Sequence, residues 1–246
     1  MDRINVIIAN KDYEKYITDA ILSCKIQTIP VRYTVIDDNS TIKPKISNYF
    51  LKEEENDLYE SWRDFDGNRF ILLKQTFGPS MARNIGIAKT INEYEYFMIL
   101  DADDIMLSNK CQRLLETIKE DPDNIGVAYA DYYHLDENGL LKMEFKRPYS
   151  RERLERECIV HSGSLISKKA LILTNENNNF YDPSLRVAED YDLWLRISEK
   201  MIIKHIPEFL SVVRIHKKNS SFSVNNGTWN QCLNYLHQKR LKRTSR

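Results

Sequence analysis

The stretch YFMILDADD, residues 96–104, decides the architecture: a run of buried-strand character, 96–100, stops abruptly at Asp101-Ala102-Asp103-Asp104. A short apolar run bounded by polar residues reads as a strand covered on both faces, which is the usual state of a parallel sheet. The same pattern recurs upstream. Residues 4–9 form an apolar strand run, and 13–25 follow with a helical pattern. Residues 33–36 are the next strand, ending at Asp37-Asp38-Asn39-Ser40; a helical segment is expected after Pro44, and 53–68 reads as loop with helical patches. Residues 70–73 are a third strand, and 79–91, with Pro79 near its start, predicts a helix. This alternation predicts a mainly parallel sheet flanked by helices.

Downstream the pattern is less regular. Residues 127–130 are strand-like, Asp136-Glu137-Asn138-Gly139 reads as a hairpin turn, and 140–145 would be the returning strand. Residues 147–160 are strongly charged and look exposed. Residues 190–200 fit an amphipathic helix in which Trp194 packs into the core, and 202–213 contain further strand. The tail from 229 to 246 is helical in pattern and carries Lys239, Arg240, Lys242, Arg243 and Arg246. No repeat or Gly/Ser linker interrupts the chain, so one continuous domain over 1–225 is expected, followed by a basic helical tail at 226–246.

Composition narrows the function. The 246 residues hold 36 basic and 36 acidic side chains, a balance that argues against bulk nucleic-acid binding but leaves a local basic patch open. No apolar run approaches the roughly 18 residues of a membrane span, and a strand within a few residues of the start leaves no room for a signal peptide. A cytoplasmic protein is the expectation. The basic tail is either a contact for an anionic membrane or polymer, peripheral at a membrane surface, or a solvated terminal helix. Cys24, Cys111, Cys158 and Cys232 are too far apart for a zinc or disulfide pattern and read as reduced thiols in or near the core. With 7 glycines and neither GxGxxG nor GxxxxGK[ST], dinucleotide and P-loop phosphate binding lose their usual support. GxSxG and HExxH are missing too.

Both acidic clusters, Asp37-Asp38 and Asp101/Asp103/Asp104, follow strand ends, where ligands bind in open parallel sheets. Paired carboxylates repel, and a hard divalent cation bridging to substrate phosphates relieves that. An extended Asp101-Ala102-Asp103 would put two carboxylates on one side. Taken alone, each cluster is equally an ordinary solvated turn.

Taken together the motifs are specific. VIIANKDYEKYITDAILSCKIQT (6–28), TVIDDNST (34–41), GPSMARNIGIAKT (78–90) and YFMILDADD resemble, in order and spacing, the family-2 glycosyltransferases with the GT-A fold. HSGSLISKKAL (161–171), FYDPSLRVAEDYDLWLRI (180–197) and VVRIHKKNSSFS (212–223) extend the likeness through residue 223. The resemblance implies an α/β GT-A fold: a Rossmann-like, mainly parallel sheet with a nucleotide-binding half at 1–104, and an acceptor-side half with a smaller sheet at 105–225. It implies inverting transfer of a sugar from a nucleotide-diphosphate donor, UDP-linked, to an acceptor hydroxyl on a glycan, a lipid-linked saccharide or another molecule, with Mn²⁺ or Mg²⁺ on the diphosphate.

By that match Ala9 and its neighbours, Asp12 among them, line the base pocket, although Lys11-Asp12 stands where many members have Tyr-Asn. Asp38 would accept the imide N–H of a uracil-like base. Asp101 would reach ribose or metal, and Asp103 would ligate the metal. Arg83 is either a nucleotide partner or a surface helix cation. Asp190 would be the general base that takes the acceptor proton, or else a helix N-terminal carboxylate favoured by the macrodipole; the two are compatible. Glu189 would contact the acceptor. His161 starts the acceptor-side segment. His216 corresponds to a histidine that touches metal or diphosphate, and a hydrogen-bonded structural role is the alternative. A catalytically silent nucleotide- or glycan-binding module would be free to lose Asp103 or Asp190, and this chain has both. A nucleotidyltransferase usually opens with a Gly-rich loop after its first strand, where this chain has Ala9-Asn10-Lys11-Asp12.

Overall fold

The computed structural model describes residues 3–45, 48–217, 219 and 224–244. In chain order the elements are β1 (Ile4–Asn10), α1 (Ile17–Lys25), β2 (Val31–Asp37), β3 (Leu51–Glu55), β4 (Tyr59–Arg63), β5 (Arg69–Leu73), α2 (Pro79–Thr90), β6 (Tyr96–Asp101), β7 (Ile105–Met106) and α3 (Lys110–Lys119). They continue with β8 (Ile125–Asp136), β9 (Leu141–Glu144), α4 (Arg151–Leu154), β10 (Leu165–Ser167), α5 (Lys168–Leu173), α6 (Glu189–Ser198), β11 (Ile202–Ile215) and α7 (Asn226–Thr244).

One 11-stranded sheet runs β3-β4-β5-β2-β1-β6-β10-β8-β11-β7, with β9 paired to β8. Its centre, β5-β2-β1-β6, is parallel. In place of the separate smaller sheet expected for the second half, the β10-β8-β11-β7 end continues the same sheet, joined to the parallel strands through the antiparallel β10.

The central strands are apolar without a break because both faces are covered, and successive side chains sort to opposite sides. Ile7, Ile36, Phe97 and Ile99 pack on one face with α2 and α6. Val6, Ile8, Val35, Met98 and Leu100 pack on the other with α1 and α3. Each such side chain removed from water contributes roughly 1.5–3 kcal/mol. Trp194 is fully buried, as expected from its place on α6. Helix α2 lies close on β2 because residue 86 is glycine: a Cβ there would stand 2.5 Å from Ile36 Cδ1.

Three further expectations are corrected. Residues 53–68 are not a loop with helical patches but the antiparallel β3–β4 hairpin, which extends the sheet beyond β5. No helix follows Pro44 among the described residues; a turn at 48–49 leads directly into β3. The charged segment 147–160 is only half exposed, since Leu154, Ile159 and Val160 lie in the core. The Ser-rich turn at 220–223 falls outside the described residues.

The basic tail is α7, and it is docked rather than solvated. Lys239 pairs with Asp182 at 2.7 Å, Glu176 at 2.9 Å and Asp192 at 3.1 Å. Arg240 pairs with Glu155 at 2.8 Å and Arg243 with Glu199 at 3.2 Å, while Leu236 and Cys232 are buried. Much of the charge that suggested membrane contact is thus directed at the protein's own carboxylates. No described helix is long and apolar enough to cross a membrane.

Candidate active site

The carboxyl ends of β1, β2 and β6 open into a cleft of about 560 Å³. Ala9, Asp38, Arg83, Asp101, Asp103 and Asp104 line it, as do His161, Glu189 and Asp190. Asp12 and His216 are outside its lining.

At the end of β2 the two aspartates do different work. Asp37 is fully buried and accepts from Asn10 Nδ2 at 2.7 Å and from the Ser40 amide at 2.9 Å, which closes the turn after the strand. Asp38 faces the cleft edge, but its two oxygens accept the Phe77 and Gly78 amides at 2.7 and 2.9 Å. It therefore ties β2 to the loop that starts α2. Burial pushes its carboxyl up, against the pull of those two N–H groups. Asp12 has a left-handed backbone (φ 56°) and accepts the Thr41 amide at 2.7 Å, so its carboxylate braces the turn at 38–41.

At the end of β6, Asp101 leads into a turn closed by the Asp104 amide donating to Asp101 O at 3.0 Å, so 101–103 is not the extended segment expected, yet both carboxylates reach the cleft. Asp101 accepts from Arg83 Nη2 at 2.8 Å and from Ser162 Oγ at 3.1 Å. Burial opposes its ionisation, but the Arg83 charge prevails and holds the carboxyl below its ordinary value. Asp103 Oδ2 meets His216 Nε2 at 3.1 Å and accepts from Asn219 Nδ2 at 3.0 Å. Burial and the neighbouring Asp101 push Asp103 up to about 6. Asp104 accepts the Arg214 amide of β11 at 3.0 Å, and burial with Asp103 raises it too. His216 is buried against Tyr16, with ring centroids 4.9 Å apart and planes 18° apart.

Helix α2 carries the link to the other half. Ser80, Arg83 and Asn84 fall at i, i+3 and i+4 and share one face. Ser80 Oγ donates to Leu185 O at 3.2 Å. Asn84 accepts the Phe180 and Tyr181 amides at 3.0 and 2.8 Å and donates to Tyr181 O at 2.7 Å. Arg83 is 6% exposed, lies over the Tyr181 ring, and bonds Asp101 and Glu189 together. Its Nε has no hydrogen-bond partner. The Ser-x-Ala-Arg-Asn segment thus fastens the loop that delivers Glu189 and Asp190, and Arg83 is a buried cation rather than a surface one.

Residue 188, just before α6, is an alanine in the left-handed region (φ 60°). Strain of this kind costs roughly 1–2 kcal/mol and persists where the surroundings impose it. It turns the chain so that Asp190 opens the helix inside the cleft, where its Oδ1 accepts the Tyr191 amide at 2.7 Å. Burial and the adjacent Glu189 push Asp190 up to about 7, with Arg83 pulling the other way.

His161 also lines the cleft. Its Nδ1 accepts the Gly163 amide at 3.0 Å, and burial together with Lys110 and Lys146 holds it down at about 3. The ring is neutral and carries its proton on Nε2, a donor and not a base.

Sequence reading missed the far wall of the cleft: Tyr132 and His134 from β8, Lys146 after β9, Cys158 and, from α7, Trp229. The signal available was the two-residue spacing of Tyr132 and His134, which puts both on one face of a strand. Asn219, three positions beyond His216, was also missed.

A divalent cation fits this site only in part. Among the described residues no three of His, Cys, Asp and Glu are gathered as a metal cage. Mg²⁺-type ions are commonly held by one or two carboxylates plus substrate phosphates, and Asp103 with Asp101 supplies that number.

A model of the family described as Glycosyl transferase family 2 matches residues 5–173. An uncharacterized glycosyltransferase of Rickettsia bellii is 29% identical over 153 residues, 61% of this chain and 21% of that protein. An uncharacterized glycosyltransferase of Methanocaldococcus jannaschii is 27% identical over 231 residues, 89% of this chain and 73% of that one. Staphylococcus aureus TarS, in a crystal structure with UDP-GlcNAc, has a TM-score of 0.67 at 17% identity, covering 91% of this chain and 61% of that one. The chain thus spans about a fifth of the Rickettsia protein and under two thirds of the TarS chain. The fold is the α/β GT-A arrangement that the sequence resemblance implied.

Proposed function

We propose, on the premise that this chain belongs to glycosyl transferase family 2, that it moves a sugar from a UDP-linked donor to an acceptor hydroxyl with inversion at the anomeric carbon. One observation carries this reading: the β6 carboxylates Asp101 and Asp103 and the α6 carboxylate Asp190 line one cleft, joined through Arg83 and Glu189. A donor bank and an acceptor bank face a common space.

Asp190 takes the proton of the acceptor hydroxyl as its oxygen attacks the anomeric carbon. The bond to the diphosphate breaks on the opposite face, and the electron pair leaves with the phosphate oxygen. A carboxyl near pH 7 in basicity is matched to that task. The Arg83–Glu189 pair holds the base loop, and neutral His161 donates Nε2–H to a substrate hydroxyl. Asp103, with Asp101 beside it, would hold Mn²⁺ or Mg²⁺, which offsets the charge building on the departing diphosphate. Asp38 and Ala9 border the base; the lone pairs that Asp38 has beyond its two amide contacts would accept an imide N–H. TarS, a protein of the same fold, was crystallised with UDP-GlcNAc, which supports a uridine donor.

The test is calorimetric titration of UDP, GDP and dTDP with Mn²⁺, with Mg²⁺ and with EDTA, on wild type and Asp103→Ala. Metal-dependent UDP binding that the variant loses is expected. Preference for GDP or dTDP would remove the role given to Asp38. A protein that binds no nucleotide under any condition would be a silent module, and the transferase reading would fall.

A further inference from the structure

The six carboxylates that line the cleft all come from the donor bank or from α6: Asp38, Asp101, Asp103, Asp104, Glu189 and Asp190. The opposite wall, built by β8, the strand-to-helix segment after β9 and residues 158–162, contributes none. At its centre is the Tyr132 ring. His161 packs against it with centroids 4.4 Å apart, His134 at 5.1 Å, and Lys146 Nζ stands 5.8 Å from its centroid.

Lys146 differs from two of the other cleft cations, whereas Arg186, exposed before α6, likewise has no ion pair among the described residues. Arg83 is paired twice, and Lys11 lies near Asp12 and donates to Asn39 O at 2.6 Å. Lys146 has no ion pair among the described residues; Glu144, two positions earlier on the same face, does not pair with it. Its main chain is nonetheless fixed. The Lys146 amide donates to Asp131 Oδ1 at 2.8 Å, and buried Asp131 also bonds His205 Nε2 at 2.8 Å. Lys146, Cys158 and Asp190 line the same cleft. A half-buried, unpaired lysine beside two imidazoles and a phenol is a site built from donors, and what donors of this charge hold is an oxyanion.

Resting on the transferase reading above, we infer that the acceptor is a polyhydroxyl chain bearing an oxyanion next to its reacting hydroxyl, and that Lys146, with His134 beside it, is the residue that selects it. The buried Tyr132 ring backs this wall and sets His134, His161 and Lys146 around it, and Asp190 meets the hydroxyl. A carboxylated sugar and a phosphodiester-linked polyol present the same chemistry to this wall.

The experiment measures binding to the UDP-saturated protein by calorimetry, with three probes: a hyaluronan hexasaccharide, a glycerol-phosphate hexamer and neutral chitohexaose. One charged probe is expected to bind at least tenfold more tightly than the neutral one. Which one it is separates carboxylate from phosphodiester. Lys146→Gln should weaken it by roughly 10- to 100-fold, the usual worth of a charged hydrogen bond, Lys146→Arg should restore most of it, and UDP affinity should stay within twofold in both. The inference is overturned if chitohexaose binds as well as either charged probe, if neither charged probe binds while UDP does, or if Lys146→Gln leaves the charged probe unaffected. Weakened UDP binding in Lys146→Gln overturns it as well, since Lys146 would then serve the donor. Wild-type protein that does not bind UDP removes the transferase reading itself, a result distinct from all of these.

Discussion

Arg83 and Glu189 stand 106 positions apart in the chain and form one short ion pair inside the cleft. Because the same guanidinium also holds Asp101, one side chain couples the end of strand β6 to the start of α6. The forked guanidinium gives each carboxylate an N–H donor of its own, Nη1 to Glu189 and Nη2 to Asp101.

Replacing that fork has a calculable cost. Arg83→Met leaves Glu189, 12% exposed, and Asp101, 34% exposed, without their cation; a fully buried pair broken in this way costs about 3–5 kcal/mol, and partial exposure of Asp101 puts the cost here at the lower end, about 3 kcal/mol. For a chain of this size each kcal/mol moves Tm by roughly 2–4 °C, so a thermal melt should show a drop of about ten degrees. Arg83→Lys should recover part of it, since a single ammonium satisfies one carboxylate well and the other poorly. A melt within two degrees of wild type for Arg83→Met would show that the pair does not brace the site.

The raised Asp190 carboxyl makes a prediction about pH. A base must be ionised to act, so kcat/KM should fall on the acid side with an apparent pKa near 7. Asp190→Asn should lose roughly 10²–10⁴-fold and flatten that limb. Stability moves the opposite way. A carboxyl whose folded pKa lies above its unfolded one stabilises the fold while protonated, and that contribution is lost as pH rises through about 7. At pH 8 Asp190→Asn should therefore melt above wild type, with the difference shrinking toward pH 4. A lower melt at pH 8 would mean that the side chain is a structural cap first.

Ala188 permits a cleaner test of backbone strain. Its φ of 60° suits glycine, tolerates alanine and excludes a β-branched side chain. Ala188→Val should cost about 2 kcal/mol or more and misplace Asp190. Ala188→Gly relieves roughly 1 kcal/mol of strain but forfeits a buried methyl worth about 0.8 kcal/mol, so it should melt close to wild type. Equal melts for Val and Gly would show that the left-handed turn is not imposed.

The contrast between what could and could not be read from the chain follows from range. The strands β1, β2, β5 and β6 were legible because their apolar runs report local burial on two faces. The positions of Asp101 at the end of β6 and of Asp190 in the first turn of α6 were legible because local strand and helix patterns mark those boundaries. The β3 strand was not: Glu53, Glu54 and Glu55 in succession look like loop, yet an edge strand tolerates charge, and Glu53 is claimed by Arg69 at 3.2 Å. Arg83 could not be told from a surface cation, since its partners lie 18 and 106 positions away. Lys146 was hidden for a related reason: its meaning comes from having no ion pair in a cleft where Arg83 and Lys11 each have one.

The tail tests the same point from the other side. Read as sequence, 226–246 is a basic helix available to an anionic surface. In the fold, Asp192 of α6 is fully buried, and its charge is met by Arg196 at 2.8 Å and by Lys239 of α7 at 3.1 Å. Lys239 also holds Asp182 on the loop leading to Asp190, and that carboxyl is lowered to about 2, burial resisting and Lys239 prevailing. Asp182 therefore stabilises the fold above its unfolded pKa, and loses that contribution as pH falls through about 2. Truncation after residue 236 removes Lys239 and Arg243 together. It should lower Tm at pH 7 by several degrees and weaken activity through the loosened loop. Lys239→Met should reproduce much of this on its own. Retention on anionic phosphatidylserine vesicles should be little changed by Lys239→Met, because that charge already faces inward. If Lys239→Met instead keeps wild-type Tm and abolishes vesicle retention, α7 is a membrane contact and not a brace.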